Sequence, residues 1–165
     1  MSMSAASASR SASILALDLA TTAGWCFGMP GTTPRLGAVQ LAPDGNIGAR
    51  GCALVDWLDD HHAVFQPDLI VFEAPLPRGQ HSGIQAGRIA LGLAMACEMY
   101  CYRAAVRCAE GNVNAARKIV LGKGNASKDE AIAACRAAGL APPTHDAADA
   151  WVLWSYACKL RGRLP

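Results

Sequence analysis

Two short apolar segments that each end in a carboxylate constrain this chain more than anything else in it. SILALDL (13–19) and LIVFE (69–73) carry apolar residues on both faces, the pattern of strands buried inside a sheet. From Asn46 to Phe65, the residues Ile47, Leu54, Val55, Leu58 and Phe65 recur with helical period, and Pro67-Asp68 stops that helix just before LIVFE. A strand, a helix and another strand predict a right-handed crossover between parallel neighbours of an α/β sheet. Asp18 and Glu73 then emerge together at the carboxyl ends of their strands, where open α/β sheets place their sites.

The remaining segments fill in around this unit. TTAG (21–24) reads as a turn into WCFG, and LGAVQL (36–41) follows the Pro- and Gly-rich stretch 30–34, so the first strand opens a three-stranded meander. APLPRGQHSG (74–83) is a loop, a long apolar helix spans about 84–102, and AAVRCA (104–109) is a fifth strand. ARKIVLG is a short helix, KGNAS a turn, and SKDEAIAACRAAG a helix that Ser127 caps and Gly139 ends. Pro142 and Pro143 block an early start to the last helix, Thr144 is its N-cap, and the run from Ala147 to Cys158 is apolar nearly all round. Residues 1–12 are small and polar with one arginine, which predicts a disordered tail with no secretion signal ahead of a single domain at 13–165. No apolar run approaches the length of a membrane span, so a soluble protein without a membrane partner is expected.

The greasy last helix contains Asp146 and Asp149, which at a spacing of i and i+3 share one face. Asp146 could simply complement the helix dipole, but Asp149 stands beside Trp151, Val152 and Leu153, where a dipole argument explains little. An ionised carboxylate in a core strand is costly unless it is paired or binds a metal, and no lysine or arginine is close to Asp18 in sequence. Three segments therefore deliver acid to one place: Asp18, Glu73, and Asp146 with Asp149. Oxygen ligands alone favour Mg²⁺ or Mn²⁺ over zinc, and two such ions about 4 Å apart can activate water and stabilise the leaving oxygen in phosphodiester hydrolysis.

A basic segment accompanies the acids. Arg117, Lys118, Lys123 and Lys128 surround Gly122 and Gly124, residues that allow a backbone to approach phosphate closely; a surface turn with solvated lysines is the plain alternative. The net charge of +2 hides a division: residues 1–73 hold three basic and seven acidic side chains, and residues 74–165 hold twelve and six. A basic second half suits an anionic partner such as nucleic acid. Seven cysteines without a CxxC pair indicate a reducing compartment. Cys97 and Cys101 share a helix face, and His61 with His62 could in principle complete a zinc site there; free buried thiols are the expectation.

LALDLATTAGWC, LIVFEAP, KIVLGKGNASKDEA and HDAADAWVLW, in this order and at this spacing, resemble the RuvC family of crossover junction endodeoxyribonucleases over roughly residues 13–158. The resemblance implies an RNase H-like α/β fold: a five-stranded mixed sheet, three strands antiparallel and two parallel, with helices on both faces. It also implies that Asp18, Glu73, Asp146 and Asp149 are catalytic metal ligands for two Mg²⁺ ions, with Mn²⁺ as a substitute, and that Lys128 is the lysine opening the following helix. The earlier family lysine maps to Arg117 or Lys118. Implied with these are a homodimer, a four-way (Holliday) DNA junction as substrate, symmetric paired nicking, and a role in recombination and repair for a cytoplasmic, bacterial or phage-encoded protein. Arg78, Gln80, His81, Arg88, Arg117, Lys118, Lys123 and Lys128 are the expected DNA contacts.

The chain departs from the family pattern in having Leu19-Ala20 where a Pro-Gly pair is usual, and in lacking an aromatic wedge in the loop after Glu73. Those departures leave sequence preference and junction distortion open, and with them the rival substrates: forks, flaps and RNA:DNA hybrids. A DNA-structure-binding protein without cleavage is a further alternative, weakened by the presence of all four acids. His145 reads as an outward residue of the last helix or as a further ligand. LDLATTAG also resembles the phosphate loop of sugar kinases and actin-like ATPases, but 165 residues cannot hold the duplicated domain those proteins need.

Overall fold

In the computed structural model, residues 12–75 and 83–160 are described. Five strands and five helices follow in order: β1 (Ile14–Asp18), β2 (Thr22–Gly28), β3 (Arg35–Gln40), α1 (Ile47–Phe65), β4 (Leu69–Glu73), α2 (Ile84–Ala104), β5 (Arg107–Gly111), α3 (Val113–Leu121), α4 (Lys128–Ala137) and α5 (His145–Lys159). The sheet order is β3-β2-β1-β4-β5. β1, β2 and β3 are antiparallel, and β4 and β5 lie parallel to β1. This is the expected mixed sheet.

Alternation along the strands sorts the core into two layers. Leu15, Leu17, Ile70 and Phe72 meet Leu54 and Leu58 of α1 and Leu93, Cys97 and Tyr100 of α2. Ile14, Ala16, Leu69 and Val71 meet Ala116, Ala131 and the α5 residues from Ala148 to Ala157. α5 therefore lies between the sheet and the α3–α4 pair, which explains why it is apolar on nearly every side. Trp154 anchors its far end, its Nε1 donating to the Gly28 carbonyl at 3.2 Å.

Side-chain caps start four of the five helices, and those at Ser127 and Thr144 are the two that the sequence predicts. Asn46 accepts from the Ala49 amide, Thr144 accepts from Ala147, and Ser127 forms a full capping box with Glu130. Several boundaries differ, among them the start of α3, which lies at Val113 because Asn112 caps it. The TTAG stretch is strand from Thr22 onward, and the turn is confined to residues 19–21. The fifth strand begins at Arg107, because α2 continues through Ala104 and stops at Ala105, an alanine in the left-handed region (φ 54°). No helix among the described residues is long and apolar enough to cross a membrane.

Candidate active site

β1 and β4 pair in parallel with Leu17 opposite Phe72, so one further step sets Asp18 level with Glu73. Asp18 shares its face with Ile14 and Ala16, and Glu73 shares its face with Leu69 and Val71; both sets belong to the layer under α5. On the other side of β1, Asp18 pairs with Gly24 of β2. A Cβ on Gly24 would stand 1.9 Å from the Asp146 carbonyl oxygen, so the first turn of α5 rests directly on this glycine. That contact brings Asp146 and Asp149 over Asp18. The turn expected around Gly24 is strand because the position serves helix-on-sheet contact rather than chain reversal.

The four acids line one region. Asp18, Glu73 and Asp149 share a small recess with Val113 and Leu153. Asp18, Glu73, Asp146 and Lys128 line the adjoining cleft of about 540 Å³, bounded on the far side by Ile84, Gly87 and Leu91 of α2. Burial, followed by the charges of Glu73, Asp149 and Asp146, pushes the Asp18 carboxyl up to about 8, and Lys128 offsets this in part. Such crowding of like charge is relieved by a cation, and the donor set is all oxygen, so the residues present suit a hard divalent ion. The arrangement is looser than a closed cage: among the described residues, no three of these carboxylates converge as closely as the cysteine set described below. Two basic side chains already hold part of the charge.

Arg117 is one of them. Its Nη2 lies 2.9 Å from Asp149 Oδ1, with the aspartate side chain only 6% exposed. Lys128 Nζ lies 3.5 Å from Asp146 Oδ1 and 3.8 Å from Asp149 Oδ2. Of the two sequence candidates for the earlier basic position, Arg117 thus reaches the acids, whereas Lys118 is exposed on the outer side of α3. Lys123 pairs instead with Glu130 at 2.6 Å on the surface, which holds the Glu130 carboxyl below its usual range. Gly122 ends α3 in the left-handed region (φ 86°), a structural need independent of phosphate. His145 faces outward, its Nε2 3.9 Å from Asp129. Arg88 is exposed near the start of α2, while Arg78, Gln80 and His81 lie outside the described residues.

The fold is shared with several solved structures. Thermus thermophilus RuvC matches with a TM-score of 0.68 at 20% identity over 90% of this chain and 96% of that one. The T. thermophilus RuvC complex with a Holliday junction substrate gives a TM-score of 0.75 at 18% identity over 92% and 96%. The yeast mitochondrial Holliday junction resolvase Ydc2 gives 0.67 at 11% identity over 92% and 80%. No family model and no curated protein matches the sequence. The likeness seen in four sequence motifs therefore extends to the whole RNase H-like architecture.

Proposed function

We propose that this chain is a divalent-metal-dependent endonuclease that resolves four-way DNA junctions by symmetric paired nicking. The observation that carries the reading is the gathering of Asp18, Glu73, Asp146 and Asp149 from two strands and a helix, in a fold shared with a RuvC protein solved on junction DNA. Asp18, Glu73, Asp146 and Asp149 would hold Mg²⁺ or Mn²⁺, which supplies Lewis acidity and an activated water for phosphodiester hydrolysis. Arg117 fixes the rotamer of Asp149 through its 2.9 Å contact and gives that buried side chain a hydrogen-bonded, oppositely charged partner. Lys128, exposed on the cleft wall, offers a positive charge to a phosphate lying against Asp146 and Asp149. Cleavage of a fixed junction, a mobile junction, a Y-fork, an RNA:DNA hybrid and linear duplex, each in Mg²⁺ and in Mn²⁺, tests the proposal. Paired, symmetric cuts confined to the junctions are expected, and preference for the fork or the hybrid would overturn the substrate assignment.

A junction has two strands to cut, and two sites related by a twofold axis suit it. Ile84, Leu91, Met95, Met99 and Tyr102 form an exposed apolar stripe along α2, with Tyr102 90% and Ile84 87% exposed. Their spacing keeps them on one helix face. This supports a homodimer through α2. A dimer by light scattering at micromolar concentration is the expected result, and Met95→Glu with Met99→Glu, both exposed and away from the cleft, should give a folded monomer that no longer makes paired cuts. A wild-type chain that stays monomeric with and without junction DNA would remove the dimer.

The basic residues divide by role. Arg88, Lys118 and Lys123 are exposed and suited to the phosphate backbone, so Lys123→Ala should weaken DNA affinity and reduce its salt dependence while the rate at saturation stays near wild type. Lys128→Ala should instead slow single-turnover cleavage about 10–100-fold with all DNA bound. Equal slowing by the two substitutions would refute this division.

A further inference from the structure

A second set of ligand-type side chains lies on the opposite face of the sheet, away from the acids. Cys97 and Cys101 stand one turn apart on the buried face of α2. Cys108 pairs with Ile70 across β4 and β5, and Ile70 belongs to the layer under α1 and α2, so strand alternation aims Cys108 toward that helix. The three sulfurs all lie within 4.8 Å of one another. Cys97 and Cys101 are buried, whereas Cys108 is exposed.

The structure points to a site for one thiophilic d¹⁰ cation, Zn²⁺ or Cu⁺, which we propose is held by Cys97, Cys101 and Cys108. Two sulfurs bound to one such ion at about 2.3 Å are about 4 Å apart, so the observed spacing needs little adjustment. A disulfide would use two of the sulfurs and leave the third in place, whereas a cation uses all three. Soft thiolate ligands select Zn²⁺ and Cu⁺ over the hard ions suited to the carboxylates. The exposed Cys108 gives the ion a way in and leaves room for a solvent ligand in a fourth position. The histidines that the sequence offered are turned elsewhere: His62 Nδ1 lies 2.6 Å from the Tyr100 hydroxyl, and His61 Nδ1 lies 2.8 Å from the Trp57 carbonyl. Once bound, the ion would tie the edge strand β5 to α2, some three residues along the sheet from Glu73.

The test uses the full chain, reduced and stripped of metal. Titration with Co²⁺ should give one equivalent of binding with a sulfur-to-cobalt charge-transfer absorption, a band that oxygen ligands at the carboxylates do not produce. Zn²⁺ should bleach that band, and an anaerobic titration of Cu⁺ against a chromophoric chelator gives the second arm; retention of either ion supports the site and identifies the ion. One equivalent should also raise the melting temperature, reversibly with chelator. Cys108→Ser, at an exposed position, should fold normally and bind at least about 100-fold more weakly, while Cys52→Ser should bind as wild type. Absence of binding in both arms, or an unchanged charge-transfer band in Cys108→Ser, would overturn the proposal. So would a reduced protein that binds neither ion but loses two thiols on mild oxidation, which would mark the set as a disulfide instead.

Discussion

Asp146→Asn is expected to lower single-turnover junction cleavage by at least about 100-fold while leaving the metal-free protein within about 1 kcal/mol of wild-type stability. The two halves of that result come from opposing electrostatics. Asp146 sits in the first turn of α5, where a negative charge gains roughly 0.3–1 kcal/mol from the helix dipole, and it has Lys128 at 3.5 Å across a partly exposed gap. Against this, it repels Asp18, whose carboxyl is pushed up to about 8 by burial and by its acidic neighbours. Removing the charge loses the first contribution and relieves the second, so the fold changes little. Thr144, not Asp146, makes the capping bond, and it remains. The amide cannot take the carboxylate's place toward a hard cation, and even outer contacts of a metal centre are worth 10–100-fold. DNA binding should persist or tighten, since phosphates then meet one anion fewer. A melt of the metal-free proteins, a binding titration and a single-turnover assay separate these effects. Retained cleavage would mean that Asp146 serves only the helix end.

How much of this was legible in the sequence depended on whether the deciding contact was local. LIVFE, the helix from Asn46 and the Ser127 cap are fixed by periodicity and by bonds between residues three apart, and each forms where expected. The acids were legible because a carboxylate at the end of an apolar strand is anomalous without a partner. The start of β5 was not, since α2 ends on an alanine in the left-handed region, where a glycine would have signalled the stop. Arg117 and Lys118 are adjacent in sequence and equivalent by spacing; only packing of α3 against α5 turns Arg117 toward Asp149. The thiol set also lay beyond local reading, because Cys108 meets Cys97 and Cys101 through strand register rather than helix spacing. His61 and His62, the histidines the sequence offered, lie on α1 and are held by Trp57 and Tyr100 instead.

Gly24 shows the same limit, and the effect of replacing it should be large. Within TTAG it looks like a turn residue, yet it lies in β2 opposite Asp18, and its missing side chain is the space that the first turn of α5 occupies. In Gly24→Ala the new methyl would lie 1.9 Å from the Asp146 carbonyl oxygen and 2.6 Å from the Ala147 amide nitrogen, backbone atoms that no rotamer change can move aside. Either α5 lifts or β2 bends. Overpacking of this kind costs about 1–3 kcal/mol and occasionally more, and rigid backbone contact argues for the upper end. For a domain of this size that corresponds to a fall in melting temperature of roughly 5–10 °C. The shift falls on the turn carrying Asp146, with Asp149 one turn further on, so their oxygens move relative to Asp18 and Glu73. A displacement near 1 Å in a reacting constellation costs about 100-fold in rate, and cleavage should be impaired well below the melting temperature, where the variant is still folded. Gly87→Ala is the control: that glycine lies within α2 with open space around its Cβ, so alanine there should hold or raise the melting temperature. If Gly24→Ala melts and cleaves like wild type, α5 does not rest on β2 at this point, and the placement of both aspartates over Asp18 falls with it.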